Sequence, residues 1–163
     1  MITYHGTIDW DLTALSAALQ ISENATQEYF TDGRRISFLL ERRLATEVFH
    51  GRIADSEKAG YDLIDGSGNR YEVRCVTRSG VYFSPSYMVG FGRAFDKHGF
   101  LKKLSSIHGY ALCDIIKFPK IPCWSMTSDD MLELYNKDKL GKRCMLYRNA
   151  ALRMLNSPNE FFT

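Results

Sequence analysis

Asp62, Glu72 and Arg74 are the residues of this chain whose types and spacing could do chemistry. They lie in two short runs, residues 60–64 and 70–77, on either side of Asp65-Gly66-Ser67-Gly68-Asn69. The runs carry β-branched, aliphatic and aromatic residues, and the linker holds types that tolerate positive φ, so the stretch reads as a β-hairpin. If it folds about Ser67, Asp62 opposes Glu72, and the alternation of strand side chains puts Arg74 on the face of Glu72. Opposed carboxylates repel one another. The patch therefore suits a cation held between them, and oxygen donors of this kind favour a hard ion such as Mg²⁺. A solvated edge hairpin with a charged face would carry the same residues.

The neighbouring elements must position these groups. After Asp32-Gly33-Arg34-Arg35, Ile36, Leu40, Leu44 and Val48 recur at helical spacing, with Gly51 placed to end the helix. Glu41 shares rows with Ser37, Leu44, Ala45 and Val48, which sets it at the edge of the buried face. A carboxylate there needs a partner, either at the site or in an ion pair with a neighbouring Arg. Glu47 competes for that role, but it faces Arg43 as a solvated i,i+4 partner. Residues 109–116 form a short apolar run suited to a buried strand beside the acidic pair. Asp114 within it must be paired or hydrogen-bonded, as a loop cap or against an Arg.

The order of helix, Asp strand, Glu-x-basic strand, helix and strand, over residues 34 to 125, resembles the PD-(D/E)XK nucleases. That family includes type II restriction endonucleases and Holliday-junction resolvases. The resemblance implies an α/β (α+β) domain of restriction-endonuclease-like fold, with a mixed central sheet flanked by helices. It implies that Asp62, Glu72 and the backbone carbonyl of Val73 hold Mg²⁺, with Mn²⁺ as a substitute, and that Glu41 completes the outer shell of the metal. It further implies double-stranded DNA as substrate and a homodimer on a palindromic site, as in a small type II restriction enzyme. The chain departs from the family where Arg74 stands at the usual Lys. A guanidinium stays protonated and cannot act as general base, although it can hold a phosphate or a water. An impaired core that binds DNA without cutting, and a junction or repair nuclease, are the alternatives.

With 163 residues, 45% hydrophobic and 25% charged, the chain is expected to form one domain. Its parts are an N-terminal helical arm (1–33), a catalytic core (34–125) and C-terminal helices (126–163). No apolar run approaches the ~18 residues of a membrane span, and no signal peptide is evident, so the expected location is the cytoplasm. The four cysteines lack Cys-x-x-Cys spacing and read as reduced thiols, and the four histidines are scattered, which argues against a zinc enzyme. A net charge of +2 matters less than its distribution. Arg34 and Arg35 precede the first site helix, and Arg78 and Arg93 flank the loop after the hairpin. Together with Ser84, Ser86 and Tyr87 from that loop, they are the expected DNA contacts.

Residues 11–20 carry Leu12, Leu15, Ala18 and Leu19 at helical spacing, and Ser22 can cap a second helix reaching Phe30. Residues 15–31 have a helix-turn-helix cadence, which serves either recognition or packing. Residues 95–107 read as a helix with Phe100, Leu104 and Ile107 inside and Lys97, Lys102 and Lys103 on the polar side. Pro119 and Pro122 confine residues 118–126 to an edge strand or an extended connection. Thr127 or Ser128 can cap a helix, and a last helix runs near residues 148–155.

Overall fold

Six strands form one mixed sheet in a computed structural model that describes residues 1–56, 58–88, 91–141 and 143–162. They are β1 (Thr3–Asp9), β2 (Arg52–Ile53), β3 (Leu63–Ile64), β4 (Arg70–Val76), β6 (Gly109–Asp114) and β7 (Lys120–Thr127), in the order β1-β7-β6-β4-β3-β2. A separate two-stranded ribbon pairs β5 (Gly80–Tyr82) with β8 (Met145–Tyr147). Among the described strands only β4 and β6 run parallel, and the crossover between them carries α4 (Lys97–Ser106). Parallel neighbours require such a connection, since a tight turn cannot reverse the chain and keep its direction.

Side-chain alternation divides the sheet into two buried faces. Along β6, Tyr110 and Leu112 join one apolar cluster while Ala111 and Cys113 join the other. The second cluster takes in Ile36, Leu40 and Leu44 from the helix that begins as α3 (Gly33–Arg43), and Phe30 from α2 (Glu23–Phe30). The first is closed by Phe100 and Leu104 of α4, Met131 and Leu134 of α5 (Ser128–Asn136), and Ala151 and Met154 of α6 (Arg148–Asn156). The mixed sheet flanked by helices is thus present, with α1 (Leu12–Leu19) and α7 (Pro158–Phe162) completing seven α-helices among the described residues.

Several local signals act as read. Ser22 caps α2 through its side-chain oxygen and Thr127 forms a capping box with Asp130 at α5; Asp11, which the pattern alone does not single out, caps α1. The first two helices are packed against one another and onto the fold. Thr26 is fully buried, bonded to Ser16 at 2.9 Å, and Gln27 of α2 donates to the Phe118 carbonyl.

Other expectations are corrected. The first 33 residues are not only a helical arm, because β1 supplies an edge strand. Its alternation is interrupted by a register shift between Tyr4 and Gly6, where Gly6 has φ +93°, and so reads weakly in sequence. The strand β7 lies inside the sheet rather than at its edge. Its pairing with β6 stops at Cys123, so Pro122 sits past the last rung on that side and opposes only Thr7 of β1. The C-terminal part is not wholly helical, since it contributes β8. The helix after Gly33 continues into a π-helical turn at Leu44–Val48, and His50 rather than Gly51 takes the left-handed conformation, at φ +48°. Gly51 is needed for another reason: a Cβ there would lie 1.9 Å from the Ile64 carbonyl oxygen.

Candidate active site

The strands β3 and β4 pair with Leu63 opposite Tyr71 and Ile64 opposite Arg70. Extended by one rung, this register places Asp62 opposite Glu72. The observed bonds depart from that rung: the Asp62 N–H donates at 2.9 Å to the carbonyl of Tyr71, the residue that already opposes Leu63, so the register shifts by one and β3 leaves the ladder here. The Asp62 carboxylate takes over the next rung, accepting from the Val73 N–H at 2.7 Å. A backbone bond is thereby exchanged for a bond that fixes an acid at the strand end.

Glu72 points to the α4 face and is buried. Arg74 follows it on the same face, and its Nη2 lies 2.8 Å from Glu72 Oε1. Its guanidinium also donates to the carbonyls of Ser84 at 3.2 Å and Val73 at 3.3 Å, while its Nε is buried with no acceptor among the described residues. The other Glu72 oxygen is met by Lys103, whose ammonium also donates to the Gly60 carbonyl. Lys103 is the site residue that sequence reasoning placed on the polar side of α4. A signal existed, because Lys103 lies three residues after Phe100 and four before Ile107, at the margin of the buried stripe.

Glu41 enters from the α3 side. The alternative ion pair with a neighbouring Arg does not form among the described residues: Arg42 donates to the Phe38 carbonyl and lies over its ring, and Arg43 holds Glu47. Glu41 has no hydrogen-bond or ion-pair partner among the described residues. Its carboxyl is pushed up to about 7, chiefly by burial and next by the charge of Asp62. Asp62 is also raised, by burial first and the neighbouring Glu72 second, against the Val73 N–H and the cations. By contrast, Glu47 is held by Arg43 through two bonds of 2.6 and 2.8 Å, the i,i+4 pair expected of it.

Glu41, Asp62 and Glu72 thus sense one another's charge, and their oxygens are of the hard kind that suits a divalent cation. Among the described residues, however, no three His, Cys, Asp or Glu side chains are preassembled to hold a metal ion. Both Glu72 oxygens and the Val73 carbonyl are engaged by Lys103 and Arg74. The donor set fits the ion in chemistry, and loading requires these cations to give way.

Two clefts meet at Tyr61 and Asp62. One, of about 520 Å³, runs beneath α3 past Phe38, Glu41 and Arg42; the other, of about 440 Å³, runs past Glu72, Ser86, Tyr87, Lys102 and Lys103. Among the expected DNA contacts, Arg34 lines a third cleft with Arg74 and Ser86. Arg35 lies over the Tyr29 ring beside Asp32, on the outer side of α3. Arg78, Ser86, Tyr87 and Arg93 are exposed, and Arg93 donates to the Ser86 carbonyl. Ser84 is a correction: it is buried and its hydroxyl is spent on the Arg143 carbonyl at 3.0 Å, so it cannot reach a duplex. Among the described residues no helix is long and apolar enough to cross a membrane.

Comparison with protein-family models, curated proteins and solved structures gives no match, so the site is interpreted on its geometry.

Proposed function

We propose that this chain is a metal-dependent endonuclease hydrolysing phosphodiester bonds of double-stranded DNA or of branched structures built from it, on a restriction-endonuclease-like core. The observation that carries the reading is the convergence of Asp62 and Glu72 on one cleft at the end of β3, with the unpartnered carboxylate of Glu41 across Asp62 in the adjoining cleft. Asp62, Glu72 and the Val73 carbonyl would hold Mg²⁺ or Mn²⁺, with Glu41 outside them. Such an ion lowers the pKa of a bound water and offsets phosphate charge.

The chain's own groups do the rest. Arg74 holds the phosphate, and its Nε–H, buried with no acceptor among the described residues, becomes a donor for an anionic oxygen once the guanidinium leaves Glu72. Lys103 supplies the lysine that is missing two residues after Glu72, reaching the same carboxylate from α4. With Glu72 engaged in holding an ion, Arg74 and Lys103 would be free of its carboxylate and available to a phosphate. The water oxygen bonds to phosphorus as the bond to the leaving strand breaks; the attacking water gives up a proton to solvent and the departing oxygen takes one from it. With one such centre per chain, a homodimer is the simplest way to cut both strands.

The test is incubation of plasmid DNA with Mg²⁺ or Mn²⁺. Cleavage by the natural chain that is lost in Asp62→Ala supports the reading, and unchanged cleavage in Asp62→Ala overturns it. A second reading, binding without cleavage, is favoured by the neutralisation of Glu72 by two cations, and predicts salt-dependent DNA binding with no cutting in either metal.

A further inference from the structure

We propose that the strand presented to Asp62 and Glu72 is unpaired, with its bases stacked on the rings of Phe38 and Tyr87. This rests on the nuclease reading and adds the substrate class: single-stranded, forked or flapped DNA in preference to intact duplex. Phe38 is 59% exposed and Tyr87 60%. A lone exposed aromatic is ordinary on a protein surface. Each lines one of the two clefts that share Asp62, Phe38 with Glu41 and Tyr87 with Glu72.

Cations accompany each ring. The guanidinium of Arg42 lies 3.4 Å from the Phe38 ring centroid, and Lys102 lines the cleft of Tyr87. Tyr61, where the clefts meet, has Arg70 at 5.1 Å from its centroid. Aromatic and basic groups therefore occur together in both clefts and at Tyr61, where the clefts meet. Such a combination binds single strands, because every base offers a π face and the cations follow the backbone. In an intact duplex those faces are covered by the neighbouring base pairs, and only groove edges, sugars and phosphates are presented. Contacts to a duplex backbone need Lys, Arg and hydroxyl groups but no exposed rings.

The experiment uses the full chain and three oligodeoxynucleotide substrates of one sequence: blunt duplex, single strand, and duplex with an unpaired flap. Cleavage is followed in Mn²⁺, and binding by fluorescence anisotropy without divalent metal. The natural chain is compared with Phe38→Leu and Tyr87→Leu, and with Tyr147→Leu as a control at an exposed ring away from the clefts. The expected result is a preference of about tenfold or more for the unpaired substrates, reduced about tenfold by either cleft variant and unchanged by Tyr147→Leu. Cleavage of blunt duplex as fast as the others, or a preference indifferent to both rings, overturns the inference while leaving the nuclease reading intact. If nothing is cut, the nuclease reading fails. Anisotropy then decides the inference alone: ring-dependent preference for unpaired DNA upholds it, and equal affinity for all three overturns it.

Discussion

Lys103 of α4 and Glu72 of β4 form an ion pair in which the same ammonium donates to the carbonyl of Gly60, so a helix, a strand and the approach to Asp62 are joined at one point. The Lys103 side chain is only 13% exposed there. An ammonium is strongly hydrated, and its burial is offset only by anionic or carbonyl partners. If this ammonium acts on the phosphate, Lys103→Met lowers metal-dependent cleavage by about 10²–10⁴-fold, whereas Arg74→Lys keeps most of it. Nicking rates on supercoiled plasmid check both. Equal rates for Lys103→Met and the natural chain would remove Lys103 from the chemistry.

Glu41 gives a pH dependence of known sign. Its carboxyl titrates near 4.5 when unfolded and at about 7 when folded without metal. Between these values the folded chain keeps a proton that the unfolded chain has lost, so stability falls as pH rises through the window. Below it the two states are equally protonated; above it the whole penalty is present. Glu41→Gln removes the charge, and is expected to stabilise the metal-free chain at pH 8 by about 1–2 kcal/mol, after allowance for solvent screening, and to leave pH 4 stability nearly unchanged. Urea midpoints at the two pH values measure this. A variant less stable than the natural chain at pH 8 contradicts the assignment.

Much of this site was legible because it depends on local rules. The pairing of Leu63 with Tyr71 and Ile64 with Arg70, which brings Asp62 and Glu72 to one cleft, follows from the turn about Ser67, and the bidentate Arg43–Glu47 pair follows from helical spacing. Asp114 was readable as a buried acid needing a partner, and it both caps the turn at Ile116 and grips Arg148. What depends on tertiary packing was not legible. Lys97, Lys102 and Lys103 look alike along α4, and only its seat against β4 selects Lys103. Ser84 and Ser86 are both loop serines, and only the pairing of β5 with β8, distant in the chain, brings the Arg143 carbonyl to one and leaves the other in a cleft.

Metal loading should show itself as stability. An ion that binds only the folded chain stabilises it by about 2.7 kcal/mol at a hundred times its Kd. Mn²⁺ should therefore raise the Tm of the natural chain at pH 8, and not that of Asp62→Asn, which retains an acceptor for the Val73 N–H but loses the charge. Scanning calorimetry with and without chelator separates the outcomes. An equal rise in both proteins would place the ion elsewhere.

The pairing of Asp114 with Arg148 sets the far ends of the two parallel strands. The guanidinium bonds both carboxylate oxygens, at 2.8 and 2.7 Å, and reaches the Thr77 carbonyl at 3.2 Å. Asp114 lies opposite Val76 in the β4–β6 register, so one arginine from α6 clamps the exits of the strand that carries Glu72 and Arg74 and of its neighbour. The Asp114 side chain is 2% exposed, and removing its partner leaves a buried charge without compensation. Arg148→Met is expected to cost about 3–5 kcal/mol in urea unfolding. Asp114→Asn combined with Arg148→Met should cost less than the sum of the single changes, because the second substitution removes the charge that the first strands. Strict additivity would mean that the two side chains do not act as a pair.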